Sequence, residues 1–385
     1  MRTRLLLTLL GLLLLAPSAA EARRSVPFGW VGVTIDGPLL SPTIDGGAEA
    51  ALMADAGAES ARAVFFWNQA QPYPNAGSVP PGSEGAYRDV NGVPTDFRVT
   101  DAIVGNAARR GIRVMPVTVS TPRWAAVRPA DGTASPPRAF HYANYLRALV
   151  ARYGPSGSFW AENPGVPRIA VRDWQIWNEV SLRAFWSIQP FARGYVYLLR
   201  AARTAIRRAD PGAKIVLAGF PNFSWRELAK VYAAGGRFQF DMAAVHPYTY
   251  LVRNVLRIVE LNRQTMSRYR DFAKPLVVSE LSWSSGRGRV RESTGFPTLT
   301  ESGQAARVAE ALPALARARL RFRLARIYWY TWMSPPLGSP NAFDYSGLRR
   351  FDGTRVVTKP AFFAFRRVAA GLNGCYKAGT ATRCR

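Results

Sequence analysis

The chain has 385 residues, 48% of them hydrophobic, and a formal charge of +26. That apolar share excludes a disordered polymer and is ample for one large core. Arginine supplies 46 of the 51 basic residues and is spread over many segments, so the charge does not indicate a nucleic-acid partner; a solvated basic surface or an anionic cell-envelope polymer as partner both remain open.

Arg2 and Arg4 precede a 12-residue apolar run, Leu5 to Ala16, and then Pro17, Ser18 and the small-residue site Ala20-Glu21-Ala22. Basic, apolar and small-residue regions in that order predict a secretory signal peptide over residues 1–22, hence a secreted, extracellular protein. The run is shorter than the roughly 18 apolar residues of a membrane span, and no later stretch approaches that length, so no span is expected after cleavage.

From there the chain alternates β-rich and helical segments. Strands are expected at 28–35, 60–67, 112–119, 170–178, 213–219, 241–246, 275–282 and 327–332. Most are near-continuous apolar runs, as strands covered on both faces are. The Pro/Gly-rich stretch from Gln71 to Pro94 lies between a strand and a helix and reads as a surface loop. Tyr195, Leu198, Leu199, Ala202 and Ile206 form one helical stripe; Val252, Val255, Leu256 and Val259 form another, and Val308, Leu312 and Leu315 a third. A last helix covers 359–372. No phosphate-binding glycine loop follows the first strand, which argues against an open doubly wound sheet. The prediction is an α/β fold, a single (β/α)8 TIM barrel over 23–373, followed by a tail over 374–385. The chain's two cysteines, Cys375 and Cys384, both lie in that tail and are expected to form a disulfide in an exported protein.

In such barrels chemistry sits at the C-terminal strand ends. The fourth strand ends Trp174-Gln175-Ile176-Trp177-Asn178-Glu179, and the seventh ends Val277-Val278-Ser279-Glu280. Two carboxyls facing across a cleft suit glycosidic cleavage, one protonating the leaving oxygen and the other attacking the anomeric carbon or activating water. Two histidines, His141 and His246, without metal-ligand spacing give no reason to expect a metal, and no other cofactor is expected. A G-x-S-x-G elbow is also absent.

The Trp177-Asn178-Glu179 sequence resembles the Asn-Glu signature of glycoside hydrolase clan A. The run from Gly157 through Phe159, Trp160 and Pro164 into Glu179 is similar to family 39 and related cellulase-like members. The likeness extends from Arg62 through His246-Pro247-Tyr248 to Trp329 and Trp332, with Val180 where the family commonly has proline. The resemblance implies a retaining O-glycosyl hydrolase acting by double displacement on a carbohydrate, with Glu179 as acid/base and Glu280 as nucleophile. It implies further that Asn178 bonds the sugar 2-hydroxyl, that Arg62 and Tyr248 hydrogen-bond the nucleophile, and that His246 lines the pocket. Trp67, Trp124, Trp283 and Trp332 fall at or beyond strand ends and are expected to stack on sugar, Trp332 beneath the reacting ring. The competing reading is a barrel at the cell envelope that binds glycan without cleaving it.

Overall fold

The computed structural model describes residues 24–291, 296 and 298–374. The leader-like segment and both cysteines, with the disulfide expected between them, lie outside those residues. Eight parallel strands form the central sheet: β1 Val31–Ile35, β2 Ser60–Phe66, β3 Arg113–Val119, β4 Asp173–Ile176, β5 Lys214–Val216, β6 Ala243–Val245, β7 Leu276–Leu281 and β8 Leu324–Trp329. A principal helix follows each strand in turn: α1 Gly46–Asp55, α2 Arg98–Arg109, α3 Ala139–Tyr153, α4 Ala192–Ala209, α5 Ser224–Ala233, α6 Val252–Arg268, α7 Glu301–Phe322 and α8 Pro360–Leu372.

The strand order is β5-β4-β3-β2-β1-β8-β7-β6. The seam between β5 and β6 is bridged at Val216–Met242 and Phe220–Val245, with the Leu217 N–H donating to the Met242 carbonyl at 3.0 Å. All eight expected strands and the three helical stripes are present. The loop expected over 71–94 carries short turns and a small antiparallel pair, Arg88–Val90 with Val93–Thr95. Among the described residues, no helix is long and apolar enough to cross a membrane.

Two apolar layers result from the strands' alternation. Outward side chains pack on the helices, where Tyr195, Leu198, Leu199, Ala202 and Ile206 bury the stripe of α4. Inward side chains form a separate cluster of Met115, Val216, Met242, Ala244, Val277 and Tyr328 inside the barrel. Gly32 belongs to this inner face: a Cβ there would come within 2.5 Å of the Tyr328 ring and of Ser60 Oγ. The period of two carries the inner face upward from Gly32 to Thr34 and Asp36, from Ser60 to Arg62, from Asp173 to Gln175 and from Tyr328 to Tyr330. Polar residues replace apolar ones at this upper level, and the site begins there.

Candidate functional site

Arg62 is the centre of the upper level. It is 1% exposed and donates from Nε to Gln175 Oε1 at 2.6 Å, from Nη1 to Glu280 Oε1 at 2.7 Å and from Nη2 to Asn178 Oδ1 at 2.8 Å. One guanidinium thus ties β2, β4 and β7 together. Its bond to Asn178 fixes that amide's orientation, leaving the NH2 group as a donor toward the mouth.

Glu280 reaches the interior through an irregularity in β7. Between the pairs Ile327–Val278 and Trp329–Leu281, β7 advances three residues while β8 advances two. Such a bulge re-aims side chains, and here both Ser279 and Glu280 join the inner network. The Tyr248 hydroxyl donates to Glu280 Oε2 at 2.6 Å. Burial pushes the Glu280 pKa up, but His246, Arg62 and the Tyr248 bond outweigh it, and the carboxyl sits below its ordinary value. Tyr248 is driven well above 10 by burial and by the Glu280 and Glu179 charges, so it remains a neutral donor.

Glu179 is held differently. Trp177 and Glu179 have φ values of 68° and 40°, a left-handed conformation that costs non-glycine residues about 1 kcal/mol or more. The strained turn places Glu179 Oε1 2.6 Å from His246 Nδ1. His246 Nε2 lies 3.0 Å from Ser279 Oγ, which in turn accepts from Gln175 Nε2 at 3.3 Å. His246 thus bridges the two residues, its Nδ1–H facing Glu179 and its Nε2 meeting Ser279. Gly219, beyond the end of β5, makes room: a Cβ there would stand 1.8 Å from His246 Nε2. Burial raises the Glu179 pKa and the Glu280 charge adds to the rise; the bond from His246 opposes both without cancelling them. One oxygen of Glu179, one of Glu280 and a His246 nitrogen all lie within 4.8 Å of one another. The two carboxyls are thus close, buried and shifted in opposite directions.

Arg62, Asn178, Glu179, His246, Tyr248 and Glu280 converge as the sequence implied, with one correction. His246 does not line the pocket; it is 0% exposed and lies beneath Glu179 as its hydrogen-bond donor. The tryptophans require a larger correction. Trp67, Trp283 and Trp332 are each 0% exposed and offer no face to a sugar. Trp67 stacks on Tyr145, and the Trp283 indole donates to the Tyr250 carbonyl at 3.1 Å. Trp332 points into the helical layer, donating to Glu49 Oε2 on α1 at 2.7 Å and packing against Phe362 on α8. Trp124 is partly buried, bonded to the Gln71 carbonyl and edge-on to Trp67 and His141.

Other residues supply the wall next to Glu280. Tyr248 meets Phe296 and Phe343 edge-on, with ring centroids 5.1 and 5.2 Å away, and those two phenylalanines stack at 3.9 Å. Tyr330 lies edge-on to Phe343, and burial and then the Asp36 charge raise its pKa well above 10. Phe343 comes from the turn Ala342–Tyr345 beyond β8, which Lys359 anchors by donating to the Tyr345 and Gly347 carbonyls. Asp36, paired with the Thr331 hydroxyl, is a third carboxyl at this mouth. Burial, reinforced by the Glu280 charge, raises its pKa to about 6 against the pull of Thr331, Tyr330 and Arg62.

No protein-family model matches the sequence, and no curated protein matches it. Solved structures do resemble the fold. A family 39 glycoside hydrolase from Bacteroides cellulosilyticus superimposes with a TM-score of 0.62 at 18% identity, over 91% of this chain and 64% of its own. This chain therefore spans less than two thirds of that protein. A monomeric beta-xylosidase from Caulobacter crescentus gives 0.62 at 17% identity, over 91% and 70% of the two chains. A family 51 alpha-L-arabinofuranosidase from Bifidobacterium longum gives 0.59 at 12%, over 92% and 75%. The chain has a (β/α)8 barrel fold similar to that of these glycoside hydrolases.

Proposed function

We propose that this protein is a retaining O-glycoside hydrolase with Glu280 as nucleophile and Glu179 as acid/base. The observation that carries this is the pair of buried carboxyls, with oxygens within 4.8 Å and pKa values pushed apart. Retaining glycosidases hold their carboxyls about 5 to 5.5 Å apart, whereas inverting ones need a wider gap, about 6.5 to 9.5 Å, for the water between. In the first step a Glu280 oxygen attacks the anomeric carbon as the glycosidic C–O bond breaks and the Glu179 proton passes to the leaving oxygen. In the second, water gives its proton to Glu179 and attacks the same carbon, releasing Glu280 as carboxylate. Arg62 and Tyr248 keep Glu280 charged beforehand, and the Asn178 amide is free to donate to a sugar hydroxyl. A barrel that only bound glycan would gain nothing from desolvating two carboxyls so close together.

Proton NMR during cleavage of an aryl glycoside tests the reading. The first product anomer should have the substrate's configuration, and the opposite anomer overturns it. Residues 1–22 further support export by a cleaved leader. In a secreting host the mature protein should begin at Arg23, and an intact Met1 on the exported protein would refute that.

A further inference from the structure

We propose that Asp36 is a specificity-determining residue that accepts hydroxyl hydrogens of the reacting sugar and rejects sugars bearing a carboxylate, so that the substrate is a neutral glycoside. This rests on the glycosidase reading of the same site. Asp36 follows β1 on the inner face, and the Thr331 hydroxyl, just beyond the neighbouring β8, pairs with its carboxyl. The Thr331 hydroxyl also lies 3.0 Å from the Thr34 carbonyl, so its single proton cannot satisfy both acceptors. An ionised carboxyl offers about four acceptor sites, which leaves capacity on Asp36 for incoming O–H donors. The residue is partly exposed and within electrostatic reach of Glu280, whose attack on the anomeric carbon fixes where the sugar ring must lie.

The charge of the pocket points the same way. Asp36, Glu179 and Glu280 are three carboxyls around one mouth. Arg62 and His246 act electrostatically to favour the ionised forms of these carboxyls. Arg62 is 1% exposed with its fork committed to Gln175, Glu280 and Asn178, and His246 is 0% exposed. Neither has a face for a sugar carboxylate. A uronic acid would bring a further negative charge beside these carboxyls, and like-charge juxtaposition in a desolvated site is strongly disfavoured. Sugar hydroxyls meet acceptors there and lose nothing.

Paired aryl glycosides that differ only at C-6 test this: glucoside against glucuronide, and galactoside against galacturonide, with an aryl xyloside as the neutral reference. The wild type should favour the neutral member of a pair by roughly 100-fold or more in kcat/KM, the size of two tenfold steps in binding. Asp36→Asn should raise KM for neutral substrates about tenfold with a smaller change in kcat, and narrow the discrimination by about tenfold. Asp36→Glu should recover part of it. A carboxyl with a merely structural role would lower activity on both members alike. A wild type that cleaves the uronide as well as its neutral partner, or an Asp36→Asn variant with unchanged discrimination, overturns the proposal. Calorimetric titration of the wild type with the free sugars of each pair separates the two readings. Inactivity on every glycoside with preferred binding of the neutral sugars defeats the hydrolase reading alone, and equal binding defeats this one.

Discussion

Glu280→Gln should abolish turnover on every glycoside, whatever the leaving group, because the amide cannot form the covalent link. Glu179→Gln should fail selectively. A nitrophenolate departs with little protonation, so the first step survives with an activated aryl glycoside. The second step then lacks its base, the glycosyl intermediate accumulates on Glu280, and a burst precedes slow release. General acid/base assistance is worth roughly 10² to 10⁴-fold, so unactivated substrates should lose that much while the burst on aryl glycosides stays fast. Azide, a small anion that needs no base, should restore Glu179→Ala and yield a glycosyl azide of retained configuration. Stopped-flow release of nitrophenolate and NMR of the azide product measure both effects. A burst from Glu280→Gln with a dead Glu179→Gln would exchange the two roles. Full activity in both variants would place the chemistry elsewhere.

What the sequence disclosed and what it withheld divide along physical lines. The barrel was readable because each strand is covered on both faces and so is written as an apolar run, and because each intervening helix repeats its stripe. Glu179 and Glu280 stand out in the sequence because a charged residue ending such a run must face somewhere polar. Trp332 shows that nearness to a strand end does not aim a side chain inward; the period of two does. Tyr328 faces the barrel interior with Met115 and Val277, so Tyr330, two residues on, continues that face. Trp332 instead serves the helical layer, bonded to Glu49. The same parity from Gly32 finds Asp36, and from Asp173 it finds Gln175. Ser279 follows Val277 by that rule, yet Glu280 does not; only the bulge in β7 brings adjacent residues to one side. Phe343 had no sequence signature at all, because a turn beyond β8 delivers it and its position depends on Lys359 and the backbone it grips.

Arg62 explains how a carboxyl with almost no access to water stays ionised, and its removal should have the second large effect. Breaking a buried pair by deleting one partner typically costs about 3 to 5 kcal/mol, a large share of the roughly 5 to 15 that hold a domain folded. Arg62→Ala should therefore be barely stable. Arg62→Lys keeps the charge and the stem but loses the fork that joins Gln175, Glu280 and Asn178, so it is the variant to purify. In the native protein burial raises the Glu280 pKa, while His246, Arg62 and Tyr248 bring it below its ordinary value. A depressed carboxyl contributes stability above its unfolded pKa and loses it as pH falls through the folded value. With the fork gone the Glu280 pKa climbs, most in Arg62→Ala and less in Arg62→Lys, which keeps a positive charge beside it. Two results follow. The acidic limb of kcat/KM, which reports ionisation of the nucleophile, should move to higher pH, in Arg62→Lys by less than the roughly 1 to 2 units that losing an adjacent opposite charge brings. The loss of stability should be greater at pH 8, where Glu280 must carry its charge without the fork, than at pH 4, where protonation relieves it. Thermal melts at both pH values beside a pH–rate profile measure this. An equal drop in Tm at both, with an unmoved acidic limb, would mean that Arg62 braces the three strands without setting the charge of Glu280.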